Sequence, residues 1–293
     1  MKKKEIKALL IIIMNNLKFI KENDENRLSI IENKLLRIEF KKKSLVRVRQ
    51  EFLFFKTTEY LYIPKVYEYG NNEYPYIIMD FIDGVRLEDS MLDDRQIDLI
   101  FYYISSTLLH IHSCGICLNN INPRSFILKD NIPYLVDYSE TSLNLNNYND
   151  NNYNPAFISS EKFLRNSNHF ASDIFSLGLL YLFCKKRRSI LDDYDSDSYQ
   201  SLLSNEELLS KTVKRVTNDE FIQKMLSVNT LNRPSGFEVY NFFSNKTKQN
   251  DNRFQELFIK SYLFKCQEQA TKKLWKTKTL KYDFFDEINS FCF

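Results

Sequence analysis

Cys114 and Cys117 form a C-x-x-C pair, a spacing that suits zinc when a second pair completes four thiolates. No second pair accompanies them, and the two read as structural thiols. His110 and His112 sit at i and i+2, which points them to different faces of a helix, and neither they nor His169 show metal-ligand spacing. The KKRR run at 185–188 has the composition of an import signal or an anion patch, and its bland reading is a solvated helix end. Side-chain chemistry of the familiar nucleophile or metal kind is therefore sparse.

The elements that would position a site are easier to read. Of 293 residues, 43% are hydrophobic and 27% charged, which excludes wholesale disorder and supports a substantial core without disulfide staples. Five glycines and six prolines exclude collagen-like and Gly/Ser-linker organisation. The odd count of five cysteines favours a reducing compartment, so an intracellular location, cytoplasmic or nuclear, is expected. Lys2–Lys4 and the apolar run 8–14 imitate a signal peptide, but Asn15 and Asn16 follow without a small-residue cleavage site, and seven residues cannot span a bilayer. No membrane segment is expected. Net charge is +3, with 16 basic against 9 acidic residues in 1–70 and 10 against 6 in 244–293. Without an aromatic-basic platform or zinc-finger spacing, these flanks read as solvated faces rather than nucleic-acid contacts.

Residues 27–40 suggest two strands and a turn, and Val48, Phe52 and Phe55 mark a helix over 44–56. Ile63–Tyr69 and Tyr76–Phe81 read as strands, the latter ending at the turn signal Asp83-Gly84. Ile97, Ile100, Ile104, Leu108 and Ile111 step by three or four along a long amphipathic helix over 94–112 that Gly115 can stop. Two short paired strands follow at 126–128 and 134–136, then a polar low-complexity loop at 143–154 and a buried helix at 174–184. Three more helices are expected at 205–215, 219–227 and 235–243. The order predicts an α+β, two-lobed architecture: segment 1–24, a small β-rich lobe with one helix over 25–83, a larger helical lobe over 84–243, and a helical extension over 244–293.

Six blocks in order over about residues 25–243 resemble the eukaryotic protein kinase family. YIIMDFIDG (76–84) resembles the strand and hinge between kinase lobes, and GICLNNINPRSFIL (115–128) resembles G-I-x-H-R-D-L-K-P-E-N-I-L. YLVDYSE (134–140) resembles the D-F-G segment, and NPAFISSE (154–161) the T-P-A-Y-x-x-P-E end of the activation segment. SDIFSLG (172–178) resembles S-D-I-W-S-L-G, and LSVNTLNRPSGFEV (226–239) the late D-P-x-x-R-P segment. The resemblance implies a bilobal protein-kinase-like fold, with ATP and magnesium as the ligands of an intact relative.

It also implies roles, and many of the residues depart from them. Kinases cover the phosphates with a glycine-rich loop because only glycine lets the backbone approach so closely, yet the first glycine here is Gly70. The strand lysine falls on Arg37 and its helix glutamate on Glu51; Met79, Asp80 and Phe81 occupy the hinge. The base falls on Asn120, whose amide cannot take a hydroxyl proton near neutrality. The loop histidine, arginine and lysine are Leu118, Asn119 and Asn122, and Ser125 replaces the asparagine of the second metal. Asp137 keeps a metal-binding carboxylate, or is a turn residue. Leu118 and Tyr138 suit an apolar spine. Glu161 and Arg233 match the buried ion pair of the large lobe, and Asp173 the carboxylate that braces the catalytic loop.

The expectation is a pseudokinase: a catalytically inactive scaffold or allosteric subunit acting on a protein partner. The extension, with Phe254, Leu257, Phe258, Leu274, Trp275, Phe284 and Phe285, either packs back on its own lobe or binds that partner. Two alternatives are an atypical kinase or nucleotide transferase using Arg37, Glu51, Asp137 and another base, and a basic nucleic-acid-associated module.

Overall fold

The structure, a computed structural model, describes residues 18–249 apart from 23–25, 32, 40–43, 72–73, 138–141, 144–153, 166–168 and 191–195. The extension beyond 249, Tyr138 and most of the polar loop at 143–154 lie outside the described residues.

The chain opens with β1 (Lys18–Glu22), β2 (Asn26–Ile31) and β3 (Lys34–Glu39), then helix α1 (Ser44–Thr57), then β4 (Val66–Asn71) and β5 (Pro75–Asp80). These strands form one antiparallel sheet in the order β1-β2-β3-β5-β4. The β2–β3 hairpin closes where Ile31 faces Lys34, and Asn33 takes the left-handed conformation (φ 64°) that asparagine tolerates better than most residues. The sheet thus includes Lys18–Glu22, within the segment set apart above as 1–24. The strand expected from Ile63 starts at Val66, because Ile63 donates its N–H to Tyr60 in a turn and Pro64 follows.

The larger body continues with β6 (Val85–Arg86), α2 (Asp94–Ser113), β7 (Ile116–Cys117), β8 (Phe126–Lys129), β9 (Ile132–Leu135) and β10 (Ser142–Leu143). Helices α3 (Ser160–Arg165), α4 (Phe170–Lys186), α5 (Ser196–Ser204), α6 (Glu206–Val216), α7 (Glu220–Met225) and α8 (Gly236–Thr247) complete it. Helix α2 begins with a capping box in which the Asp93 carboxylate accepts from Gln96 N and the Gln96 side chain accepts from Asp93 N. Its five periodic positions, Ile97, Ile100, Ile104, Leu108 and Ile111, are all buried, as the spacing predicts. Helix α4 is apolar on nearly every face because it runs through the interior of this lobe. Phe101 of α2, Tyr181 of α4 and Phe243 of α8 meet edge-on or tilted, with ring centroids 5.0 to 5.6 Å apart.

One core runs through both lobes, from Val48 and Phe55 of α1 through Ile77 and Met79 of β5 to Leu180 and Phe243. At the junction Leu135 donates its N–H to Tyr62 O at 3.0 Å, and the Tyr60 ring stacks on His110 at 4.6 Å. Gly84 sits where the chain crosses between lobes, and a Cβ there would lie 2.2 Å from the Leu128 backbone oxygen. The obstacle is backbone, so it cannot swing aside. Gly84→Ala is expected to cost about 1 to 3 kcal/mol by overpacking, read as a lower denaturant midpoint with unchanged slope. No described helix is long and apolar enough to cross a membrane.

Candidate functional site

The site is built around the loop between β7 and β8. Asp173, in the first turn of α4 and fully buried, accepts the N–H of Leu118 at 2.8 Å on one oxygen's side and that of Asn119 at 2.8 Å on the other. Its Oδ2 also lies 2.9 Å from His112 Nε2, and the His112 ring packs against Phe170 at 4.5 Å. One carboxylate thus fixes the start of the loop to two helices. Asn119 takes φ 64°, and its carbonyl accepts a 3.0 Å bond from Nζ of Lys162 on α3, a lysine only 6% exposed.

Past that brace the loop is held by neutral groups. The Asn120 carbonyl accepts from Asn122 Nδ2 at 3.0 Å and from Ser125 Oγ at 2.9 Å, while the Asn120 side-chain oxygen accepts from Asn122 Nδ2 at 3.1 Å. Asn122 Oδ1 accepts from Arg124 N, capping the short turn at Pro123–Ser125. The Ser125 hydroxyl, 1% exposed, thus gives its proton to the backbone. From Leu118 to Ser125 the one ionisable side chain is Arg124, which projects to solvent.

Arg37 and Glu51, fourteen residues apart, meet as expected. Arg37 lies on β3 opposite Leu28 and Ile77; its Nη1 donates to Glu51 Oε1 at 2.9 Å and its Nη2 to Oε2. Glu51 on α1 is 1% exposed and Arg37 17%, so the fork–fork pair ties helix to sheet in a partly desolvated position. Of the hinge residues, Met79 is buried and Phe81 half-buried. Asp80 commits its N–H to Lys65 O, and its carboxylate accepts from Lys65 N at 3.0 Å and the Tyr67 hydroxyl at 2.6 Å. Its side chain braces the strand next to it. Asp137 is half-buried just past β9, two residues beyond Leu135. Gly70 serves packing: a Cβ there would lie 2.6 Å from the Tyr76 hydroxyl.

Glu161 and Arg233 form the ion pair the motifs suggest. Arg233 Nη1 and Nη2 reach Glu161 Oε1 and Oε2, each at 2.8 Å, and Ser172 Oγ donates to Oε1 at 2.5 Å. Arg233 also donates to the carbonyls of Ala171, Ser227 and Val228 and lies 4.6 Å over the Phe175 ring. Burial alone would lift the Glu161 pKa, but the Arg233 charge and the hydrogen bonds from Arg233 and Ser172 outweigh it and hold the carboxyl below its ordinary value. Lys162 and His112 escaped the reading of the sequence. His112 shows no metal-ligand spacing in the sequence, and its partner Asp173 lies 61 residues away. Cys117 and Cys184 are buried, and burial pushes the Cys184 thiol up to about 12, which leaves it inert. Among the described residues no group of three or more His, Cys, Asp or Glu could hold a metal ion.

An antiparallel sheet with one helix, a helical second lobe, and a loop braced by a buried aspartate make a two-lobed α+β domain. The family model described as protein kinase domain matches residues 18–243, and the chain belongs to the protein kinase family. It is similar to serine/threonine-protein kinase D of Synechocystis sp. (strain ATCC 27184 / PCC 6803 / Kazusa), with 35% identity over 80 residues. That region is 26% of this chain and 16% of the relative, so the chain spans a small part of that protein's length.

Proposed function

We propose that this chain is a pseudokinase, a protein kinase fold without phosphoryl-transfer activity that works as a scaffold or allosteric subunit through protein–protein contacts. The observation that carries the reading is Asn120: the base position holds an amide whose oxygen already accepts from Asn122, itself an amide where kinases place a lysine. An amide has no proton affinity near neutrality with which to activate a hydroxyl.

The residues also fit magnesium-bound ATP poorly. In the sequence Asn23-Asp24-Glu25 stand between β1 and β2 and no glycine precedes Gly70, whereas a phosphate cradle relies on glycines that let the backbone approach closely. Ser125, at the second metal position, gives its hydroxyl proton to the Asn120 carbonyl and offers a neutral oxygen in place of an amide or carboxylate. The Arg37 guanidinium is held by Glu51 through two bonds, and its planar fork does not place a single ammonium on phosphates. By contrast Asp173, Glu161 and Arg233 have the structural partners that the motifs imply, which supports a folded scaffold.

The Arg37–Glu51 pair, together with Asp137, favours one second reading: an atypical ATP-dependent Ser/Thr kinase or nucleotide-binding transferase that recruits another base. Thermal melting with millimolar ATP, with and without magnesium, separates the two. A ligand at 100 times its Kd stabilises by about 2.7 kcal/mol, a readily measured shift. No magnesium-dependent shift is expected. A magnesium-dependent rise in midpoint that Asp137→Ala abolishes would show that a nucleotide site survives and favour the second reading, with a phosphate-transfer assay deciding between them.

A further inference from the structure

Three arginines from three separate parts of the chain converge beside the Asn120 loop. Arg124 follows the Pro123 turn of the loop, Arg86 ends β6, and Arg187 caps α4 in the left-handed conformation (φ 59°). Arg86 Nη1 donates to the Arg124 carbonyl at 2.7 Å, Arg124 Nε to Glu88 Oε2 at 2.9 Å, and Arg187 Nη2 to the Glu88 carbonyl at 3.1 Å. A guanidinium carries five N–H donors. Each of these three gives one nitrogen to the protein, and among the described residues its remaining nitrogens have no hydrogen-bond partner. All three side chains are exposed, Arg124 to 72%.

The cluster is therefore fixed in place with most of its donors facing outward. Glu88 neutralises one charge and the exposed Asp89 weakens the field, which leaves three guanidiniums in excess over two carboxylates. Its position is as informative as its charge. Arg124 adjoins Ser125, which bonds the Asn120 carbonyl, and two residues after Arg187 Ser189 Oγ donates to the Ala156 carbonyl at 3.1 Å. The donors thus flank both the degenerate loop and the Pro155–Phe157 turn.

We propose that Arg86, Arg124 and Arg187 form a docking site for an acidic segment of a partner protein, recognised through carboxylates or phosphorylated side chains. Charge complementarity selects the occupant: planar guanidinium forks match both oxyanions in bidentate geometry. The site's compactness separates it from a nucleic-acid surface, which needs a stripe of cations along many phosphates and, for single strands, exposed stacking rings. Phe183, 6.0 Å from the Arg187 guanidinium, is half-buried and packs edge-on against Phe157 at 5.5 Å. The proposal names the chemistry of the partner in the scaffold reading above, but holds whether or not the domain transfers phosphate.

Fluorescence anisotropy of the full chain tests it with four labelled probes: a short glutamate-rich peptide, the same peptide carrying phosphoserines, a lysine-rich counterpart and a single-stranded oligonucleotide. The acidic peptides are expected to bind, more weakly as salt rises, and the lysine peptide to show no binding. Whichever acidic peptide binds tighter identifies the oxyanion. The double reversal Arg86→Glu/Arg124→Glu, and separately Arg187→Glu, should lower affinity by about tenfold and threefold at an unchanged melting temperature. Lys214→Glu, on an exposed face of α6, should leave it unaltered. Unchanged affinity in both arginine variants, an equal loss in Lys214→Glu, or tighter binding of the oligonucleotide would overturn the proposal. None of these readouts depends on ATP, so they fail or succeed independently of the pseudokinase reading.

Discussion

Arg233→Ala is expected to destabilise the protein by about 3 to 5 kcal/mol, because removing one member of a buried pair leaves the other charge uncompensated. The Arg233 side chain is wholly buried, and its loss frees the Glu161 carboxylate together with the carbonyls of Ala171, Ser227 and Val228. Arg233→Lys should recover little, since one ammonium cannot span both carboxylate oxygens and three carbonyls. Differential scanning calorimetry checks this, with a fall in midpoint of roughly 6 to 20 °C. The same pair sets an acid limit. Because the folded Glu161 pKa is depressed below 4.5, its contribution is fully present above that value and is lost as pH falls through the lower, folded one. The stability gap between wild type and Glu161→Gln should therefore be widest near neutrality and close in acid; a gap independent of pH would contradict the assignment.

The second large effect is expected from Asp173→Ala. The carboxylate satisfies the N–H groups of Leu118 and Asn119 and faces His112 Nε2 in a site closed to water. Each buried polar group left without a partner costs about 1 to 3 kcal/mol, so the three together cost about 3 kcal/mol or more. Loss of the brace should also loosen the loop. Amide hydrogen exchange at Leu118 and Asn119 is expected to accelerate far more than at Ile104 or Leu108, in the middle of α2. Equal acceleration at all four would mean that Asp173 acts on global stability alone.

Much of this arrangement is legible in the sequence, for identifiable reasons. The three-and-four spacing of α2 and the apolar run of α4 are direct records of burial, and both helices form as expected. Arg37 and Glu51 pair because a strand and a helix of the expected lengths carry them. Glu161, Arg233 and Asp173 follow from ordered family motifs rather than from spacing. Other features leave little trace. The two-residue strands β6, β7 and β10 are too short for an alternation to register. Helix α5 hides in the polar run at 196–204, yet Leu202 and Leu203 are fully buried. Lysine is ordinarily exposed, so the burial of Lys162 against the Asn119 carbonyl could not be foreseen from its type. The Arg86, Arg124 and Arg187 cluster is assembled from positions 38 and 63 residues apart, and the sequence showed only the KKRR run at its edge.

In the proposed pseudokinase the kinase scaffold is kept while its reaction centre is lost. Phosphate transfer from γ-labelled ATP to a protein acceptor, compared between wild type and Asp137→Ala at equal concentration with magnesium, tests it most directly. The expected result is incorporation at background in both. Transfer by wild type that is lost in Asp137→Ala would contradict the claim and show a working kinase with an unrecognised base.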